Sequence, residues 1–436
     1  MRFLNAAGVS VAVVVLATAC RSSNAPGPRP SLVEARALAL APPGGDSPAD
    51  REIARLQERL RNGPVPDDWV LLGQAWIRKA RCSGETGLYL AAEGATVAAL
   101  ELAPGHRGAL GLRALVLLNQ HDFAGAREQA RVLVTHDPGD LLALATLSDA
   151  ALELGDLPAA VDAGQRLLDL KPGLAAYGRA AHLRWTVGDV AGAKLLYARA
   201  IEAGRGARDP EPMAWMVVQA AQLFWNEGDL GGAMAGVREA LALVPDYPPA
   251  LVLEGRCHLA GGDIGEAIRV LARAYASRPL VETGWLLADA RRRTGDETGA
   301  EAIERRLVRD GRQSDPLTLG LFLASRNRDL PEALRMLEAE HRVRPGIAVE
   351  DAYAWALFRA GRLAEARAAI DRATVHGTPE PRMLYHAGAI RLAQGEREVG
   401  TALVRRALSL NPHFELLARA EVQLLTDRPE RQARRP

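Results

Sequence analysis

The feature that most restricts this chain is a short pattern that returns at a nearly fixed step: a glycine, an acidic or similar residue, and a few positions later a small residue. It stands as Gly155-Asp156 with Ala160, Gly188-Asp189 with Ala193, Gly228-Asp229 with Ala233, Gly262-Asp263 with Ala267 and Gly295-Asp296 with Ala300. Weaker copies are Asp122 with Ala126, Asp329 with Ala333, Gly361-Arg362 with Ala366 and Gly395-Glu396 with Gly400. The small residues from Ala126 to Gly400 are spaced by 34, 33, 40, 34, 33, 33, 33 and 34 residues. A period of this length means a stack of similar units, each covering the apolar face of the next, rather than one enlarging core.

Each interval reads as two helices. An apolar stretch with helical period precedes the glycine and another follows it, closed by a proline at Pro138, Pro172, Pro245, Pro279, Pro345 or Pro412. The glycine suits the left-handed position that ends a helix, and the Asp beside it can cap the free amides of the next. Pro158 and Pro331 fall in the first turn of the second helix, where a missing N–H costs nothing. Twelve positions before the small anchors lie further small residues, Ala114, Ser148, Ala181, Ala221, Gly255, Ala288, Ala354 and Gly388; Leu321 is the exception. Small side chains at both points let the paired helices approach closely.

An earlier unit, Trp69-x-x-Leu72-Gly73-x-x-Trp76, resembles the first-helix signature of the tetratricopeptide family, and Ala407-Leu408-Ser409-Leu410-Asn411-Pro412 resembles its second-helix ending. The resemblance implies an all-α, right-handed α–α superhelix of about ten helical hairpins over residues 67–412. Residues 413–427 are expected to form a C-terminal capping helix, 428–436 a disordered tail, and 51–66 an N-terminal capping helix and loop. Two irregular loops are expected, Arg78 to Leu90 in the first unit and Gly204 to Pro212 in the 40-residue interval.

The N-terminus has the apolar run Val9 to Ala19, too short to span a bilayer as a helix, and reads as a signal peptide over residues 1–19. Leu16-Ala17-Thr18-Ala19-Cys20 resembles the bacterial lipobox, which implies lipid attachment at Cys20. With Arg21 next, the expected address is the periplasm-facing surface of the cell envelope, the outer membrane before the inner. Residues 20–50, rich in Pro, Gly and Ser, are expected to be an extended tether. Cys82 and Cys257 lie several repeats apart, beyond the reach of a disulfide, and read as small buried thiols.

Chemistry is sparse. There is no His-Glu-x-x-His, Cys-x-x-Cys, Gly-x-Ser-x-Gly or Gly-x-x-x-x-Gly-Lys, so no catalytic, cofactor or metal site is expected and the chain reads as non-enzymatic. Gly228, Gly231, Gly232 and Gly236 sit on a repeat turn with no strand before it, which argues against a phosphate loop. His106, His121 and His136 share no helix face. A formal charge of +1 provides no field for a phosphate backbone, so nucleic acid is not an expected partner.

What remains is the concave face, which the resemblance assigns to the first helix of each unit. Its positions map to His182 and Trp185; to Trp215, Gln222, Trp225 and Asn226; and to Arg256, Trp285, Asp289, Arg292 and Arg293. Further along come Phe322, Arg326, Asp351, Trp355, Phe358, Arg359, Arg382 and Tyr385. Aromatics mixed with Arg are the composition of interface hot spots. The expected role is a protein-binding scaffold or adaptor that holds an extended partner segment. Two further classes stay open: an assembly factor or chaperone of an envelope secretion, pilus or outer-membrane complex, and a cell-wall or polysaccharide binder.

Overall fold

The computed structural model describes residues 31–83, 85, 87–207 and 209–414. Their regular structure is entirely helical: α1 (Leu32–Ala39), α2 (Pro48–Asn62), α3 (Pro66–Ser83), α4 (Leu88–Leu102), α5 (Arg107–Asn119), α6 (Phe123–His136), α7 (Leu141–Glu153) and α8 (Leu157–Leu170). Then follow α9 (Leu174–Thr186), α10 (Val190–Gly204), α11 (Glu211–Asn226), α12 (Leu230–Leu243), α13 (Pro248–Gly261), α14 (Ile264–Ser277), α15 (Val281–Arg293) and α16 (Glu297–Ser314). The series ends with α17 (Pro316–Ser325), α18 (Leu330–Val343), α19 (Ile347–Arg359), α20 (Leu363–Ala373), α21 (Pro381–Ala393) and α22 (Arg397–Leu410). From α3 onward the helices alternate as first and second members of ten successive pairs, the α–α solenoid expected from the period. The signal peptide, Cys20 and the C-terminal capping helix and tail lie outside the described residues, apart from His413 and Phe414.

The punctuation does what its chemistry suggests. Gly155, Gly188, Gly228, Gly262, Gly295, Gly361 and Gly395 take φ between 73° and 85°, the left-handed region in which a Cβ is strained. In the two units lacking that glycine, His121 (φ 63°) and Asn327 (φ 52°) take its place. Asp122, Asp156, Asp229, Asp263 and Asp296 each accept a hydrogen bond from an amide in the first turn of the second helix. The small pairs are close approaches: a Cβ on Gly388 would lie 2.8 Å from the Gly400 carbonyl oxygen, and Ser148 Oγ donates to the Ala160 carbonyl at 2.8 Å. Leu321 ceases to be an exception, because the close approach there shifts by one residue to Gly320, where a Cβ would meet Leu337 at 2.6 Å.

The described residues fall into two compact units, one within Met1–Ala181 and Ala198–Met213, the other within His182–Tyr197 and Ala214–Pro436. In the first, α1 contradicts the extended tether expected over 20–50. Ser31 and Glu34 form a reciprocal capping box that starts α1 despite the surrounding prolines. Ala35 and Ala39 are fully buried against the array. On α4, a Cβ at Gly94 would lie 2.2 Å from the Ala35 carbonyl oxygen, so glycine there is what lets α1 dock. Trp76, in the first unit's core as expected, donates Nε1–H to the Ala39 carbonyl at 2.9 Å. The irregular segment expected from Arg78 is shorter than the sequence suggested, since α3 continues to Ser83. Cys82 on its last turn is exposed rather than buried; Cys257 is buried, and burial pushes its thiol up to about 12.

In the second unit, as in the first, the first helices of neighbouring pairs touch one another: α13 with α15, α15 with α17, α17 with α19 and α19 with α21. No comparable pairing joins consecutive second helices among the described residues. The stack therefore bends with its first helices on the inside. At the α16–α17 junction, Asp315 caps α17 by accepting from Thr318 N–H at 3.1 Å, while its Oδ2 is buried with no hydrogen-bond partner among the described residues. Burial pushes this carboxyl up to about 7, against the opposing pull of the Thr318 hydrogen bonds and Arg344, with Glu282 adding to the rise. A carboxyl raised in the folded state destabilises progressively as pH climbs from its unfolded value to its folded one. Asp315→Asn, which keeps the cap, is expected to unfold like the parent near pH 4. It should gain on the order of 2 kcal/mol over the parent by pH 7.5, measured by urea denaturation at both pH values.

Candidate interaction surface

The second unit carries all of the residues that the repeat phase assigns to the concave face, and the structure divides them into three groups. The first is a buried aromatic stack. Trp355, Tyr385 and Phe322 are buried, at 3%, 1% and 0% exposure. Trp355 lies 4.1 Å from His386, nearly parallel, 5.1 Å from Phe358 and 5.8 Å from Tyr385. Trp285 meets Phe322 edge-on at 5.4 Å. These rings fill the space between consecutive first helices, so Trp355, Phe322 and Tyr385 present no surface to a partner. Trp225 and Asn226 are likewise buried. His386, one residue beyond the assigned position, is fully buried, and its Nδ1 meets Asp351 Oδ1 at 2.9 Å.

The second group is an internal charge network. Glu304, on second helix α16, is 2% exposed and accepts from Arg292 at 2.6 Å, Arg328 at 2.8 Å and Arg326 at 3.3 Å. Arg326 also binds the buried Asp289 and lies over the Phe322 ring at 5.5 Å. Burial raises Glu304, but the guanidiniums outweigh it and hold the carboxyl below its ordinary range. Arg292 and Arg326 are thus occupied in joining α15, α16 and α17, and Arg256 is paired with Glu282. Glu304 was missed from the sequence, though register exposes it. Four residues after each anchor stand Ala130, Gly164, Tyr197, Val237, Leu271, Leu337, Ile370 and Val404, so Glu304 is the charged member of an otherwise uncharged column.

The third group keeps surface. His182, Trp185, Trp215, Gln222, Trp285, Phe358, Arg359 and Arg382 are partly exposed and Arg293 is exposed. His182 stacks on Trp185 at 5.5 Å, and burial lowers the imidazole to about 4, leaving it neutral at neutral pH. Gln222 Nε2 donates to Asn226 Oδ1 at 3.1 Å. Arg359 lies over the Trp355 ring at 5.6 Å, its aromatic partner already buried. This group can offer flat apolar area with guanidinium and amide donors. Among the described residues no cluster of His, Cys, Asp and Glu suits a metal ion, and no helix is long and apolar enough to cross a membrane.

Family models described as tetratricopeptide repeat match residues 112–175 and 352–413, and a second model of the same description matches 224–280. The chain thus carries tetratricopeptide repeats, the fold of a protein–protein interaction scaffold. No curated protein matches the sequence. Among solved structures, it is similar to a human IFIT1 dimer with m7Gppp-AAAA, at 13% identity and a TM-score of 0.49, covering 88% of this chain and 91% of that one. It is also similar to PilW, described as a widely conserved type IV pilus biogenesis factor, at 17% identity and a TM-score of 0.41, covering 47% and 94%. A third is a tetratricopeptide repeat protein from Parabacteroides merdae ATCC 43184, at 16% identity and a TM-score of 0.33, covering 58% and 98%.

Proposed function

We propose that this repeat array is a non-catalytic scaffold that holds a protein partner against the first helices of its second unit, in the bacterial cell envelope. The observation that carries the reading is the third group above: partly exposed Trp285 and Phe358 with Arg293 and Arg359, on first helices α15 and α19 that line the inside of the bend, and partly exposed Trp185 and Trp215 on the first helices α9 and α11. Such a surface suits an extended segment, whose side chains bury against the rings while donors meet its carbonyls. The envelope address rests on the signal-like residues 1–19 and the lipobox-like Cys20.

The test compares charge-matched pairs. Arg293→Glu with Arg359→Glu alters the inner face; Arg305→Glu with Arg405→Glu alters exposed positions on the second helices α16 and α22. Proteins recovered from solubilised envelopes on the immobilised chain are identified, and the affinity of the purified partner is measured for each variant. The inner pair should weaken binding about tenfold or more, the cost of losing a hot-spot contact, and the outer pair less than about twofold. Loss with the outer pair alone would place the partner on the convex side instead.

A further inference from the structure

The second unit is closed by contacts between its two chain-distant ends. Thr378, in the α20–α21 loop, donates Oγ–H to the Thr186 carbonyl at the end of α9 at 2.6 Å, across 192 residues of chain. Asn411, at the C-terminus of α22, donates Nδ2–H to the Trp225 carbonyl near the end of α11 at 2.7 Å, across 186 residues. Thr378 and Asn411 are 2% and 0% exposed, and both reach carbonyls in a last helical turn; the Trp225 carbonyl accepts from Gly228 N–H at 2.9 Å as well. The backbones approach at the same two places. A Cβ on Gly188 would lie 3.1 Å from the Gly377 carbonyl oxygen, and one on Gly228 2.9 Å from the Leu410 carbonyl oxygen.

The other left-handed glycine turns of this unit do not do this. Gly262 and Gly295 have the same left-handed backbone, with φ 84° and 82°, yet nothing lies within 4 Å of where a Cβ would stand. Within this unit, the turns that touch distant chain are its first two, α9–α10 and α11–α12, and they meet its last two helix pairs. We infer that these contacts form a latch, which closes the second unit around the inward-facing first helices and must open, or be threaded, for a partner to reach them. The consequence for binding rests on the proposed function; the latch itself does not, and it is tested without any partner.

Tryptophan quenching by acrylamide reads the opening, because Trp185, Trp215 and Trp285 are partly exposed on the first helices of this unit whereas Trp69 and Trp76 are buried in the other. Two latch variants are compared, Thr378→Val with Asn411→Ala, and Gly188→Ala with Gly228→Ala. The control is Gly262→Ala with Gly295→Ala, which carries the same backbone strain at turns where the added Cβ meets nothing within 4 Å. Far-UV circular dichroism checks that helix content is retained. Both latch variants should raise the quenching constant about twofold and speed amide exchange at the two turns, as local opening does, while the control stays near the parent. Equal changes in both glycine pairs, or no change in either latch variant, would overturn the latch.

Discussion

Replacing Asp149 with Ala should cost the fold about 3–5 kcal/mol, because it removes the carboxylate that two nitrogens of a buried guanidinium donate to. Arg179 on α9 donates from Nε to Asp149 Oδ1 at 2.8 Å and from Nη2 to Oδ2 at 2.7 Å, with both side chains buried in the first unit. Nη1 also reaches the Ala175 carbonyl at 3.1 Å. Two charges withdrawn from water are tolerable only while each satisfies the other, and the fork-to-carboxylate geometry is what makes this pair tolerable. The double replacement Asp149→Leu with Arg179→Met should recover most of the loss, since an apolar pair of similar volume carries no desolvation cost. Urea denaturation followed by circular dichroism measures both. A loss below about 1 kcal/mol for Asp149→Ala would show that the pair is hydrated.

Trp355→Ala should lower stability by about 3–5 kcal/mol, as expected for an aromatic removed from a packed core. Its ring is nearly enclosed and touches Phe358, Tyr385 and His386 on α19 and α21. This differs from the consequence suggested by the repeat phase, which assigns Trp355 to a binding face and would have its loss weaken a partner while sparing the fold. Arg359→Ala, which removes the cation over the same ring, should cost no more than about 1 kcal/mol, the size of an exposed cation–π contact. A fully stable Trp355→Ala protein would mean the ring is a surface residue.

Local features were legible in the sequence and distant ones were not. The glycine turns and aspartate caps could be read because each is settled within a few residues of chain, by backbone sterics and by one side chain reaching one amide. The departures have equally local causes: Gly320 replaces Leu321 as the close approach, and a Ser31–Glu34 capping box overrides the proline-rich composition around α1. The site was harder. Phase assigns Trp355, Phe322 and Tyr385 to the inside of the bend, but whether an inward ring meets solvent or its neighbour depends on how tightly successive first helices pack. Charge pairing across α15, α16 and α17 could not be read from first helices alone, because its hub, Glu304, stands on a second helix. Thr378 and Asn411 have no sequence signal, because their partners lie nearly six repeats away.

The most direct test of the second unit as a binding scaffold is amide hydrogen exchange of the full chain with and without a purified protein partner recovered on the immobilised chain. Protection is expected along the first helices α11, α13, α15, α17, α19 and α21, strongest near Trp215, Trp285 and Phe358. Protection confined to the second helices α12, α14, α16, α18, α20 and α22 would contradict the assignment of the partner to the inner face.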